Sequence, residues 1–263
     1  MPAMSGTIRI ERKGALGYLV VDHAERRNAL NAHMWRQIPE LAAELDKDAS
    51  VRVIVMRGAG EEAFVSGADI SEFSKLRSGA AAAQYDAENV QAFAALHALQ
   101  KPLIAMIHGF CIGGGMALAS CADLRYAASD AVFAVPASRL GLGYPLSAAQ
   151  HLIRLLGQAH AKELFFTARR FPAPEALRLG LIHEVVEKSQ LETRVLQVAE
   201  EIADNAPLTL RAFKLAAAEL LKPANERNDG PADAAIAQCF ASADYREGVQ
   251  AFLEKRRPKF TGQ

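Results

Sequence analysis

The sequence is short of cysteine, of net charge and of uninterrupted apolar stretches. Three cysteines, Cys111, Cys121 and Cys239, among 263 residues are too few and too scattered for a disulfide framework or a four-thiolate zinc site, and they suit a reducing compartment. Thirty Lys and Arg against thirty Asp and Glu leave no net charge, which excludes a chain-wide electrostatic grip on nucleic acid or anionic lipid. The cluster Lys255, Arg256, Arg257 and Lys259 reads as a solvated helix end. Seven histidines show no His-Glu-x-x-His spacing, so no metal centre is expected. Residues 102–122 lack Asp, Glu, Lys and Arg over about the length of a membrane span. Pro102, His108, Gly109, Gly113, Gly114 and Gly115 interrupt that run, which therefore predicts a strand, a glycine turn and a buried helix. Residues 1–12 lack the apolar core of a signal peptide, so the chain is expected to be cytoplasmic and not membrane-bound.

What is present is enough apolar material for a sizeable core: 51% of the residues are hydrophobic and 23% charged. β-Rich runs over 7–13 and 16–22, separated by Gly14 and Ala15, predict a hairpin. Met34, Trp35, Ile38, Leu41, Ala42 and Leu45 repeat with helical spacing behind an N-cap at Asn31, and Pro39 predicts a kink or a late start. Residues 51–56 and 103–107 read as strands buried on both faces, 80–100 as an alanine-rich helix, and 123–128 and 132–135 as short strands. Helices carrying Leu210, Phe213, Leu220 and Leu221, then Tyr245, Val249, Phe252 and Leu253, follow on either side of a loop over 222–231. With no internal repeat or flexible linker, the chain divides into a core domain over 1–204 and a helical section over 205–263 that forms a cap or an oligomer interface.

Chemistry points to Gly113-Gly114-Gly115, between a strand and a helix. Glycines let backbone approach a ligand, and the unpaired N–H groups of a helix start favour negative charge. The same glycines also serve a tight strand-to-helix crossing. A phosphate loop is excluded because no Lys-Ser or Lys-Thr follows, and Leu118 stands where a dinucleotide loop needs its last glycine. Ser66-Gly67-Ala68-Asp69 offers a second small-residue turn with a backbone N–H. Two such donors converging on one oxygen would make an oxyanion hole.

Asn28-Ala29-Leu30-Asn31, Ser66-Gly67-Ala68-Asp69-Ile70, Lys101-Pro102 through His108-Gly109 to Gly113-Gly114-Gly115, and Cys121-Ala122-Asp123 together resemble the crotonase (enoyl-CoA hydratase/isomerase) superfamily. Leu140-Gly141-Leu142, residues 176–180 and the tail from Tyr245 to Arg256 extend the resemblance over nearly the whole chain. The resemblance implies an α/β fold, a spiral of ββα units with a C-terminal helical trimerisation region, a homotrimer or dimer of trimers, and an acyl-CoA substrate with no cofactor beyond its coenzyme A. By matched position it places the thioester carbonyl on the backbone N–H groups of Ala68 and Gly114. It places coenzyme A on Arg27, Ala29, Leu30, Ala68 and Ile70, with Phe252 and Lys255 closing on it from a C-terminal helix, often a neighbour's. Ser71 stands where a lysine often follows the Gly-Ala-Asp-Ile motif, which removes one phosphate contact.

The departure that bears on mechanism is at two positions where hydratases of this superfamily carry glutamates, here Ala117 and Ala137. Hydration needs a base for water and an acid for the α-carbon, and alanine supplies neither. What remains is Tyr144, at a place where methylmalonyl-CoA decarboxylases of the superfamily carry a similar pocket tyrosine, although those enzymes have a histidine where this chain has Ala68. Loss of CO₂ from a malonyl-type thioester leaves an enolate that two N–H donors can hold without a base. Asp69 is expected to cap the turn after the oxyanion loop, Asp123 to start a strand, and His108 to be packed; His151 and Gln150 are expected in solvent or core. Leu76 to Gln100, which would line the acyl tunnel, offers no distinctive polar recognition. The alternatives are a hydratase or isomerase with relocated acid and base, and a catalytically silent acyl-CoA-binding protein.

Overall fold

A computed structural model describes residues 6–72 and 79–263; the readings of residues 1–5 and 76–78 lie outside them. Strands β1 (Thr7–Lys13) and β2 (Leu16–Asp22) form the expected hairpin, with Gly14 at φ 59° in the turn. Helix α1 (Ala32–Lys47) begins at its cap, not late: Asn31 Oδ1 accepts from Met34 N at 2.9 Å, and the Glu72 carboxylate accepts from Ala32 N at 2.9 Å. The helix runs through Pro39, because burial of Met34, Trp35, Ile38, Ala42 and Leu45 along one face outweighs the one backbone bond that proline removes.

From there the chain winds in repeated turns. β3 (Val53–Gly58), β4 (Ala63–Val65) and α2 (Gly79–His97) form one; β5 (Leu103–Ile107), β6 (Phe110–Ile112) and α3 (Gly114–Cys121) the next; β7 (Leu124–Ala128), β8 (Val132–Ala134) and α4 (Leu146–Thr167) a third. In each turn the first strand joins one sheet and the second strand the other. β9 (Phe171–Pro172), α5 (Ala173–Arg178), β10 (Glu184–Val186) and α6 (Leu191–Ala203) complete the core. The larger sheet runs β1-β2-β3-β5-β7-β10, parallel from β2 onward; the smaller runs β4-β6-β8-β9, with only the β8–β9 pair antiparallel. This is the expected α/β spiral of ββα units.

Alternation along β3 and β5 explains their two-sided apolarity. Ile54, Met56, Leu103, Ala105 and Ile107 join the cluster of Trp35, Leu96 and Leu118, while Val53, Val55, Ile104 and Met106 meet Leu191, Val195 and Val198 of α6. β3 starts two residues later than its apolar run, because Val51 N is held by Asp48 O (3.0 Å) and Arg52 N by Ala15 O (2.7 Å). α2 stops at His97, three residues before the predicted end, where the Asp46 carboxylate takes the amides of Gln100 (3.0 Å) and Lys101 (3.1 Å) and turns the chain toward Pro102. α4 is broken at Gly157, whose φ of 69° and ψ of 166° divide it into two segments.

Beyond the core lie α7 (Pro207–Leu220), α8 (Gly230–Ala241) and α9 (Ala243–Leu253). The predicted 222–231 loop gives up its last two residues to α8, whose first turn accommodates Pro231. Among the described residues no helix is long and apolar enough to cross a membrane, and residues 102–122 divide into β5, β6 and α3.

The start of α3 is pressed against β4. A Cβ at Gly115 would be driven into the Val65 carbonyl oxygen, and one at Gly109 into the Glu62 carbonyl, so neither site has room for a side chain. Gly115→Ala is expected to destabilise the chain by about 1–3 kcal/mol, the usual range for overpacking against a neighbour that cannot rotate away. Urea denaturation of the variant beside the parent checks this, and an unchanged midpoint would contradict the close approach.

Candidate active site

Two backbone turns meet at the mouth of the spiral. In one, Leu30 pairs with the segment after β4: Leu30 N donates to Gly67 O (2.8 Å) and Asp69 N donates to Leu30 O (2.8 Å), so the chain brackets Ala68. Asn28 anchors this turn from below. It is fully buried, its Nδ2 donates to Ala59 O (3.0 Å) and Ala63 O (2.7 Å), and its Oδ1 accepts from His23 N (3.0 Å). In the other turn, Gly113 takes φ 53°, its N donates to Ala134 O (2.9 Å), and α3 begins at Gly114. The turns are adjacent: a Cβ at Gly113 would lie 3.9 Å from Gly67 Cα. Among the described residues neither the Ala68 nor the Gly114 N–H has an acceptor, and both residues line one cleft of about 140 Å³. Gly114 lies over Trp35, whose Cζ2 would be 3.2 Å from a Cβ there.

The walls of this cleft are nearly uncharged. Ala117 and Ala137 both line it, so the two positions where carboxylates would stand are occupied by buried methyl groups. No Asp, Glu, His, Lys or Arg is among its described lining residues. Tyr144 enters from the segment before α4, its ring edge-on to Phe165 at 5.2 Å, and its hydroxyl is buried without a hydrogen-bond partner. Burial pushes that hydroxyl well above the usual phenol range, so it stays protonated. Three lining residues come from α2, which the sequence reading left featureless. Tyr85, Asn89 and Phe93 recur every fourth residue on one helix face; Trp35 Nε1 donates to Tyr85 Oη (3.1 Å), Trp35 meets Phe93 edge-on at 5.6 Å, and Asn89 Oδ1 is buried and unpartnered. The four-residue spacing within the alanine run was the signal that could have found them.

The other predicted site residues fall into two groups. Ile70, 60% exposed, stands at the rim of the cleft, and Leu30 is buried beside it with Cδ1 3.7 Å from a Cβ at Gly114. Ala29 is half-buried, and Arg27 is exposed, paired with Glu62 (2.6 Å) and laid over the Phe110 ring at 5.2 Å. Phe252 and Lys255 do not reach the cleft within this chain; Phe252, 83% exposed, belongs to a separate apolar groove on the C-terminal helices. Asp69 caps its own turn, taking Ser71 N (3.0 Å) and Ser71 Oγ (2.7 Å) and pairing with Arg26 (3.1 Å). Burial alone would raise its carboxyl, but the Ser71 bonds and Arg26 overrule it and hold the group lowered. Asp123 sits just ahead of β7, His108 is buried away from the cleft, Gln150 is exposed, and His151 meets His97.

Fold and site therefore define an α/β spiral that presents two unpaired peptide N–H groups to an apolar cleft, the arrangement of an enzyme that stabilises negative charge on a substrate oxygen. The enoyl-CoA hydratase/isomerase pattern matches residues 11–263. The chain is 36% identical to a crotonyl-CoA hydratase of Syntrophomonas wolfei over 253 residues, covering 96% of this chain and 97% of that one. It is 33% identical to the short-chain-enoyl-CoA hydratase of Clostridium acetobutylicum over 248 residues, covering 94% and 95%. A solved structure described as an enoyl-CoA hydratase/carnithine racemase from Magnetospirillum magneticum superposes with a TM-score of 0.92 at 35% identity, covering 98% of this chain and 96% of that one. The chain belongs to the enoyl-CoA hydratase/isomerase, or crotonase, family and is an acyl-CoA-processing enzyme of it.

Four imidazoles lie around this framework, those of His97, His108, His151 and His183, and desolvation is the leading cause that lowers each one, His97 to about 4. A histidine lowered on folding binds its proton more readily when unfolded, so its neutral native form adds stability above the ordinary value and loses it as pH falls. Chemical denaturation between pH 7 and pH 4 is expected to show the midpoint dropping from about pH 6.5 downward. A flat profile down to pH 4 would contradict the desolvation of the buried His108 and the half-buried His151.

Proposed function

We propose that the cleft binds an acyl-CoA thioester with its carbonyl oxygen on the N–H groups of Ala68 and Gly114, and that the reaction is decarboxylation of a malonyl-type thioester. The observation that carries this reading is the pair of unpartnered amides in a cleft whose two carboxylate positions are Ala117 and Ala137. A substrate carboxylate placed there loses hydration and meets no cationic side chain, a state relieved when neutral CO₂ departs. The C–CO₂ bond breaks, its electron pair moves into the thioester enolate, and the amides with the α3 dipole hold the new oxyanion. Tyr144, protonated and without a partner for its hydroxyl, then donates its proton to the α-carbon and recovers one from water.

Arg27, Ala29 and Ile70 contact the coenzyme A portion at the rim with Leu30, fully buried, supporting them from beneath, and Phe252 and Lys255 come from a neighbouring subunit. The cytoplasm supplies the substrate, and the reaction asks for no cofactor beyond the coenzyme A it carries. The hydratase names of the two relatives favour a second reading, hydration or isomerisation with relocated acid and base.

Malonyl-CoA, methylmalonyl-CoA and crotonyl-CoA offered to the purified enzyme, with mass spectrometry of the thioester products, separate the readings. The expected result is CO₂ loss from a malonyl-type substrate, slowed about 10²- to 10⁴-fold in Tyr144→Phe if the tyrosine is the proton donor. Intact malonyl thioesters beside rapid hydration of crotonyl-CoA would replace decarboxylation by the second reading, and binding without turnover of any thioester would leave a carrier.

Residues 205–263 form the trimer interface on this proposal, in a homotrimer or dimer of trimers. α7, α8 and α9 expose Phe213 (76%), Phe240 (64%) and Leu253 (75%) around an apolar groove, a surface that an isolated chain would leave wet. Light scattering on Phe240→Glu is expected to show monomers where the parent shows trimers; a monomeric parent would refute the interface.

A further inference from the structure

On the far side of α3 from Gly114, three helices bring together side chains that the proposed reaction does not use. His97 closes α2, Cys121 closes α3, and His151 stands in the second turn of α4. The Nε2 atoms of the two histidines are 3.0 Å apart with ring centroids at 4.1 Å. One ring nitrogen from each and the Cys121 Sγ all lie within 4.8 Å of one another. Each comes from a different turn of the spiral, so no local spacing announces the group.

We propose that His97, Cys121 and His151 form a zinc(II) site that fastens the ends of α2, α3 and α4. Two imidazoles and a thiolate are donors that zinc prefers, and three protein ligands leave a fourth position for water. Ligand atoms around a tetrahedral zinc stand about 3.3–3.6 Å apart, so the histidine pair opens slightly and the Cys121 Sγ turns from its contact with Ala117 O (3.3 Å) toward them. Neutral imidazole, the form that ordinarily dominates at pH 7, supplies the lone pairs. Binding displaces the Cys121 thiol proton to water, and the ion adds to the positive charge that Arg125 already sets near the buried sulfur. Arg125, Arg154 and Lys214 oppose a cation here; Asp123, paired with Lys214 at 2.8 Å, offsets part of that. His97 is exposed and leaves a path for entry.

The position gives the ion a structural part in the site. α2 carries Tyr85 and Asn89, α3 carries Gly114 and Ala117, and α4 follows Tyr144, so the same three helices wall the cleft. His97, Cys121 and His151 are accordingly positioning residues.

The test is titration of the metal-free full-length protein with cobalt(II), followed by displacement with zinc(II). One cobalt per chain, a thiolate-to-cobalt charge-transfer band in the near ultraviolet, its loss on adding zinc, and a zinc-dependent rise in the melting temperature are expected. His97→Gln should weaken binding more than about 100-fold, beyond what an outer-shell loss costs, and Cys121→Ala should abolish the band while Cys239→Ser retains it. Because Cys121 is buried, the exposed His97→Gln variant keeps the test decisive if Cys121→Ala does not fold. Absence of binding by the parent, a band that survives Cys121→Ala, undiminished binding by His97→Gln, or cobalt that zinc does not displace would each overturn the proposal.

Discussion

The rest of the site depends on one close approach, the N-terminus of α3 lying against the end of β4 with no side chain between them. Gly115 makes it possible because the Val65 carbonyl oxygen occupies the space where a Cβ would be. The turns around Gly67 and Gly113 are brought within contact as a result, and the amides of Ala68 and Gly114 face the same cleft. Leu30 completes the arrangement by using its own N–H and C=O on the residues flanking Ala68, which leaves the Ala68 N–H without a backbone acceptor. A polar group left without a protein partner costs free energy as water is excluded from it, and here two such groups are kept where a ligand oxygen can reach them.

Because the charge-stabilising groups belong to the main chain, the side chains around them are free to differ. Ala117 lies one helical turn beyond Gly114, and Ala137 lies in the turn that follows β8. Carboxylates at those places would handle protons; methyl groups there leave a largely apolar cleft whose polar features include the amides, Ser66, Tyr85, Asn89 and Tyr144. Such a cavity lacks the paired carboxylates that acid-base chemistry would draw on at those two positions. The family resemblance and the chemistry of this particular chain therefore have separate origins, the first in backbone and the second in a few side chains.

How much of this was legible in the sequence follows the range of the forces involved. The hairpin at Gly14, the cap at Asn31 and the strand-turn-helix around Gly113 to Gly115 are local, and the residues that make them are adjacent in the chain. Tyr144 was placed by motif order and stands where expected, in the cleft. What was hidden is non-local. Tyr85, Asn89 and Phe93 acquire meaning only when α2 is laid across Trp35. The distribution of strands between two sheets is also unreadable, since a three-residue strand such as β4 carries no mark of its partner. Ends of elements moved where a distant side chain intervened, as Asp46 does after α2.

The break at Gly157 has a geometric result for the tyrosine. A straight helix continuing from residue 146 would carry Phe165 about 30 Å from its starting point, at 1.5 Å per residue. Instead the second segment doubles back, setting the Phe165 ring 5.2 Å from that of Tyr144 and its carbonyl 2.8 Å from the Ser138 hydroxyl. One residue's left-handed backbone thus turns what would be an outward-pointing rod into a brace, and the phenol is held in place by a ring that an unbent rod would have left in open solvent.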